Sequence, residues 1–413
     1  MTRLREPRSA GPAPARTLPG GKILVVGPTG RAALLTGAEH AAFCAGLEES
    51  DPLRARLAAL GIFAGAADAA ALAREEVECG RLNWSGPATH VLLASVRGSA
   101  MSPQTAKDVV DFVFSTPRPT LTLEIVDEDG RGWPAAWFAA EYARRRAEWA
   151  GRGLALVFRA PAAPPPERLA FLRGRRATVR AALSADGPPE PGRLFGAERA
   201  RIVIGRGARD PEGWVDALSA ARFSSVSWVA APAAARNPAA ARHYARFAAR
   251  ALARLIDAQE TSNLRDELAL GLLASRPWEV PGLDLLETLA YAPDGTVFSS
   301  EEGWEIGGTA FQLGDARTLR FQDLPAHPLV PALAAALTRE TQPLCADCVY
   351  RSCCQIPPSA HFRAQGTLYG RLLDSPRCLA HMAILDSIFS RLDDEKCLKL
   401  LDKWGVDSGR FTC

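Results

Sequence analysis

Five cysteines near the C-terminal end are the residues best suited by type and spacing to do chemistry. Cys345 and Cys348 form a C-x2-C knuckle; Cys354 follows after five residues and Cys378 after a longer excursion. A knuckle of this size aims two thiolates at one centre, and four thiolates suit either a [4Fe–4S] cluster or a structural zinc. Spacing does not choose between iron and zinc. Cys353, next to Cys354 in CADCVYRSCC, reads as a spare thiol that could replace a ligand if the loop shifted register. His361 and His381 flank the segment and read as packed or surface histidines, because four thiolates already saturate a centre.

Other candidates are weaker. Asp127, Glu128 and Asp129 precede Gly130, and a run of acids before a glycine reads as a solvated turn rather than an acid–base pair. Asp186 in SADGP reads as an Asp-Gly turn. Gly27-Pro28-Thr29-Gly30 lacks the Lys-Ser/Thr of a phosphate-cradling loop. No catalytic residue is assigned from the residues themselves.

A chain of 413 residues is long enough for two or three domains, and 47% of it is hydrophobic. No apolar run approaches the length of a membrane span. A net charge of +3 and a pI near 8.4 supply no case for a nucleic-acid partner. The Arg-rich stretches read as solvated helix faces. Nine cysteines, none between Cys79 and Cys345, do not resemble a disulfide scaffold, so a cytoplasmic setting is expected. Cys44 reads as a core residue of its helix. Residues 1–20 are basic and Pro/Gly-rich without an apolar stretch, and read as a disordered tail.

The elements that must position these residues follow in order. Residues 21–85 read as a small strand-and-helix module, with a strand from Lys22, a short apolar segment at Ala32 to Leu35, and helices around Phe43 and from Asp51 to Leu60. Residues 86–280 alternate strand and helix, which means a parallel sheet, doubly wound or closed toward a barrel. A barrel would work at the C-terminal ends of its strands. From residue 281 the pattern breaks. A Pro-Asp-Gly hairpin at 289–298 leads to the cysteines, an amphipathic helix through Met382 to Leu392, and a charged segment ending at Cys413.

Several of these stretches together resemble the radical SAM proteins that carry a C-terminal SPASM domain. In particular they are similar to the B-type maturases of the His-Xaa-Ser peptide-modification systems. The stretches are AYAPDGTVFSSEEG, FQLGDA, CADCVYRSCC, QGTLYG, PRCLAHMAILDSIF, MSPQTAKDVVDFVF and SADGP. The resemblance covers roughly residues 20–395 and implies an α/β fold. That fold is a partial (β/α) barrel of the radical SAM type, with a small N-terminal α+β module and a C-terminal cysteine-rich SPASM-like domain over residues 281–413. It implies that Cys345, Cys348, Cys354 and Cys378 hold one auxiliary [4Fe–4S] cluster, with zinc as the alternative. It also places Asp186 near the substrate.

The departures carry equal weight. The family begins its active site with C-x3-C-x2-C after the first barrel strand, and this chain reads HVLLASVRGSAMS there. Ser95, Arg97 and Ser99 cannot supply three iron ligands, so S-adenosylmethionine binding is not expected. The family's Gly-Gly-Glu-Pro turn is replaced by Val126-Asp127-Glu128-Asp129-Gly130. A second auxiliary cluster would need cysteines where Ser299-Ser300 and Pro357-Pro358 stand. The expectation is an accessory, non-catalytic protein that binds a precursor peptide or an intact radical SAM maturase. The alternatives are an electron-transfer module serving a partner enzyme, or a structural-zinc scaffold.

Overall fold

The structure, a computed structural model, describes residues 14–27, 31–62, 86–160, 164–187, 197–274, 286–337, 342–351, 353–354, 356–372, 375–406 and 411–412. Most of the Gly27–Gly30 turn and of residues 1–20 lies outside this set. What is described of the presumed tail is ordered, however: Ala15–Thr17 form strand β1 and Leu18 is buried. β1 pairs antiparallel with β2 (Ile23–Val26), and β2 with β3 (Ala32–Leu35). Apolar side chains on both faces of β2 and β3 drive this sheet together, which corrects the tail boundary.

Two capped helices follow. Thr36 caps α1 (Gly37–Ala45) in a capping box with Glu39, and Asp51 caps α2 (Pro52–Ala59). Phe43 and Leu57 face the sheet. Cys44 does not; it is exposed beside His40, contrary to the core reading, because the helix has only one apolar edge.

The large sheet begins with β4 (Thr89–Val96), which turns back on itself through β5 (Ser99–Ala100). Then come α3 (Pro103–Ser115), β6 (Thr120–Asp127), α4 (Trp133–Ala150), β7 (Gly153–Ala160), α5 (Pro166–Gly174), β8 (Thr178–Ser184), β9 (Arg199–Ile204), α6 (Pro211–Ala220), β10 (Ser225–Ala230), α7 (Pro238–Asp257), β11 (Arg265–Asp266) and α8 (Glu267–Ala274). Apart from the short antiparallel β4–β5 pair, neighbouring strands from β4 through β11 are parallel. The helix starts follow the expected chemistry. Ser102 accepts from Thr105 N with Pro103 behind it, and Asn237 accepts from Ala239 N and Ala240 N with Pro238 behind it.

The C-terminal part adds β12 (Thr288–Tyr291), β13 (Thr296–Phe298), α9 (Glu301–Ile306), β14 (Gln312–Asp315), α10 (Leu329–Leu337), α11 (Pro343–Ala346), α12 (Pro358–Gln365), α13 (Pro376–Phe389), α14 (Glu395–Lys403) and β15 (Phe411–Thr412). β12 pairs parallel with β4, and the antiparallel hairpin β12–β14 extends the sheet, which runs β11-β10-β9-β8-β7-β6-β4-β12-β13-β14 with open ends. β15 pairs parallel with β3, so the last strand closes the first sheet. The charged segment expected at the end is thus an amphipathic helix and a strand.

The two faces of the large sheet differ in chemistry. Leu123, Ile125, Phe158, Val179, Ala181, Ile202 and Val226 point outward and pack under the helices. The alternate positions point to the concave side and carry Glu124, Arg159, Arg180 and Arg201. A parallel strand buried on both faces is ordinarily apolar throughout. Here the concave face is a lined hollow capped by α9 and α12. Among the described residues, no helix is long and apolar enough to cross a membrane.

Candidate functional site

The cysteine segment is assembled by short helices. Pro343 starts α11, whose single turn presents Cys345; Cys348 N donates to Cys345 O at 3.2 Å, which closes the knuckle. Cys354 N donates to Tyr350 O at 2.8 Å and turns the chain back. Ser375 caps α13 and accepts from Cys378 N, so Cys378 sits inside the first turn of that helix rather than before it. Cys345, Cys354 and Cys378 all pack on one small apolar group, Ile356, Ala360 and Leu372.

The electrostatics are those of thiols sharing a confined space. Burial pushes the Cys354 thiol up, and Cys378, Cys345 and Cys348 push it further in the same direction. Cys378 is pushed up to about 11 by burial, with Cys348 adding to it and Arg16 opposing. His381 is buried, with its pKa down at about 3 through burial and the charge of Arg377, and its Nδ1 lies 3.3 Å from Cys354 Sγ. His361 is buried as well, and neither of its ring nitrogens has a hydrogen-bond partner among the described residues. Cys353 is buried in the main core.

A cation suits this environment, since the crowding that disfavours the Cys354 and Cys378 thiolates becomes favourable around a positive centre. The donor set therefore fits a thiolate-bound group. Among the described residues, no three His, Cys, Asp or Glu side chains are drawn into one coordination sphere. Cys345, Cys354 and Cys378 share one apolar seat, whereas Cys348 packs against the main core.

The positions where a second auxiliary cluster would need cysteines have other roles. Ser300 caps α9 by accepting from Gly303 N at 3.0 Å, and Ser299 N bonds Phe311 O. Pro357 and Pro358 form the start of α12.

The first strand of the barrel ends in a two-residue hairpin. Val96 pairs with Ser99 across Arg97 and Gly98, both at positive φ (48° and 82°), which is the signature of a type I′ turn. Arg97 stacks 4.5 Å over the Trp304 ring and its Nη2 donates to Glu305 O, which pins the turn to α9. Ser95 Oγ lies 2.6 Å from both Asp127 Oδ1 and Asp129 Oδ1, and Gly132 N donates to Asp127 Oδ1 at 3.1 Å. The expected solvated acid run is split: Asp127 is buried in this network, while Glu128 and Asp129 are exposed. Arg131 and the Ser95 hydroxyl hold Asp129 well below the usual carboxylate range. The place that would need three iron ligands is closed by hydrogen bonds, and those residues do not fit a reactive cluster.

Asp186 lies exposed beyond β8, with its carboxylate against the backbone of Gly205 and Gly207. That matches the turn reading.

The concave face holds what motif reading missed. Arg159 bridges Glu124 (Nε to Oε1, 3.3 Å) and Glu301 (Nη2 to Oε1, 2.8 Å), and Arg180 Nη1 reaches Glu124 at 3.2 Å. Arg159 is 4% exposed, so not all arginines belong to solvated helix faces. A cavity of about 330 Å³ opens at the C-terminal ends of β9 and β10, lined among others by Arg201, Arg363, Arg377, Glu301, Glu302 and Glu305. The signal was available: charged residues at alternate positions in strands that parallel pairing should make wholly apolar.

No family model matches the chain, and no curated protein matches it. Solved structures do. The structure of native anSMEcpe with bound AdoMet has a TM-score of 0.59 at 11% identity over 75% of this chain and 99% of that one. The same protein with bound AdoMet and the Cp18Cys peptide has a TM-score of 0.56 at 12% identity, and with the Kp18Cys peptide 0.55 at 12%, each over 75% of this chain and 99% of that one. Identity this low establishes fold alone. The chain shares the α/β fold of that protein, a largely parallel sheet covered by helices.

Proposed function

We propose that this chain is an accessory member of a peptide-modification system, one that has kept the barrel and the cysteine segment and lost the means to start a radical. The observation that carries the reading is the end of β4. Where three thiolates would be needed, there is a two-residue hairpin and a Ser95–Asp127–Asp129 hydrogen-bond network. In this reading residues 86–280 form a degenerate barrel between a module at 21–85 and a SPASM-like segment at 281–413, in a cytoplasmic setting. The barrel mouth binds a precursor peptide, or the molecule docks on an intact maturase. The complexes of the structural neighbour with peptides lend support to the peptide alternative.

Cys345, Cys348, Cys354 and Cys378 would hold one auxiliary-type [4Fe–4S] cluster, which supplies outer-sphere electron transfer when all its irons are protein-ligated. The chain's own contribution is a dry, apolar seat on Ile356, Ala360 and Leu372, with His381 beside Cys354. Full ligation also suits an electron-transfer module for a partner enzyme. A structural zinc is the second reading, favoured by the Cys354–His381 contact, because zinc takes mixed sulfur and imidazole ligands.

Anaerobic purification with iron, sulfide and zinc quantification tests the site. About four irons with equal sulfide, lost in a Cys345→Ser/Cys378→Ser double variant, supports the cluster; about one zinc supports the scaffold. Cleavage of S-adenosylmethionine by the reduced protein would overturn the accessory role.

A further inference from the structure

The charges around the barrel-mouth cavity are unevenly paired. Glu301 receives Arg159 at 2.8 Å, and Arg363 reaches Glu302 (3.4 Å) and Glu305 (2.7 Å). Among the described residues Arg377 has only a long approach of 3.8 Å to Glu302 Oε2. Arg201 makes no hydrogen bond or ion pair with any described residue, although it lines the same cavity and is half-buried. The carboxylates are therefore satisfied, and the spare capacity belongs to two guanidinium groups. Each guanidinium carries five N–H donors in a planar fork that matches a carboxylate.

We propose that this cavity is a carboxylate-binding subsite, in which Arg201 grips the anionic group of a peptide and Arg377 supplies a second guanidinium at the rim. Burial lowers the pKa of Arg201, opposed in part by Glu301, so the cation stands in a poorly solvated place with its charge incompletely neutralised. An arriving carboxylate completes the pairing. A cationic group would instead have to displace arginines from Glu301, Glu302 or Glu305. Val203, Val229, Ala360 and Ala380 form apolar wall, and a volume near 330 Å³ lies at the low end of the about 300–1,000 Å³ typical of small-ligand sites. The cavity thus accepts the end or a side chain of a peptide rather than a folded partner. This inference rests on the peptide-binding reading and is independent of the metal.

The test uses the full chain and calorimetric titration with three N-acetylated tripeptides. One is Ala-Ala-Ala with a free terminal carboxylate, one Ala-Ala-Glu amide, and one Ala-Ala-Gln amide. Binding of at least one carboxylate peptide and not of the glutamine peptide is expected, and the first two distinguish a chain terminus from an acidic side chain. Arg201→Leu should weaken that binding about tenfold or more, and Arg377→Gln by less. Arg201→Leu should change the Tm little, since the half-buried cation it removes makes no hydrogen bond with any described residue and has only charge interactions, chiefly with Glu301, to set against its desolvation; a fall in Tm with unchanged binding would assign Arg201 to structure and overturn the subsite. Equal affinity for the glutamine peptide would overturn it too, while leaving the peptide-binding reading standing. If none of the three peptides binds, the subsite fails, and a longer precursor peptide that binds native and Arg201→Leu protein alike then shows that the broader reading survives.

Discussion

At the scale of single residues, Asp266 shows how burial sets protonation in this molecule. Its carboxylate is 2% exposed, accepts from Leu268 N, Ala269 N and Trp228 Nε1, and caps α8. Burial raises its pKa to about 6 from 3.8, and the donated hydrogen bonds only partly oppose this. A raised acid binds its proton in the folded state before the unfolded chain does. Between about pH 4 and pH 6 stability from this group therefore increases as pH falls, and above its folded pKa the charge costs about 2–3 kcal/mol. Asp266→Asn cannot titrate. The stability difference between variant and native chain should change by that amount between about pH 4 and pH 7, read from urea midpoints at each pH. Glu301 behaves oppositely. Burial pushes its pKa up, but Arg159 and Arg201 more than offset this, so its contribution is present above the usual glutamate range and is lost in stronger acid. Arg159→Met should destabilise the fold by about 3–5 kcal/mol by leaving Glu124 and Glu301 buried with a partner removed, as chemical denaturation would measure.

At the scale of elements, the joint between β4 and α4 explains why the barrel mouth is shut at this end. Gly132 is the N-cap of α4, and a Cβ placed there would lie 2.4 Å from the carbonyl carbon of Ala94 and 2.7 Å from Ser95 N. Only glycine lets the helix start touch the strand end and donate its amide to Asp127. Gly132→Ala should cost about 1–3 kcal/mol through overpacking, measured by chemical denaturation. The hairpin of Arg97 and Gly98 could not be read from the segment VRGSA, because a two-residue turn needs strand pairing on both sides and β5 is only two residues long. The longer elements were legible. Ser102-Pro103 and Asn237-Pro238 announce helix starts through side chains that satisfy the first free amides, and both helices begin there.

At the scale of the whole molecule, the two ends of the chain meet. Arg16 reaches Asp386 on α13 through two hydrogen bonds of 2.6 and 2.7 Å, and Tyr350 bonds the same carboxylate. Lys22 pairs with Asp393, and β15 extends the sheet of β1–β3. The helix that presents Cys378 is therefore braced from behind by the N-terminal sheet. Arg16→Ala should destabilise the molecule by about 1–3 kcal/mol. It should also speed amide exchange in both β2 and α13, as hydrogen-exchange mass spectrometry would show; exchange changes confined to β2 would mean that the brace does not reach the cysteines.

Local chemistry in the chain itself was enough to determine the alternation of strand and helix, the caps and the Pro-Asp-Gly hairpin. It also determined the absence of a thiol set after β4, since no packing can supply sulfur that the residues lack. Tertiary structure decided the rest: that residues 15–17 leave the tail to become a strand, that Cys44 faces solvent, and that β15 returns to the first sheet. It also decided that Glu124, Arg159, Arg180 and Arg201, which lie on four strands, share one hollow. Local signals act over a few residues, whereas strand pairing and the desolvation of a charge depend on partners far along the chain, such as Glu124 with Arg180 and β4 with β12.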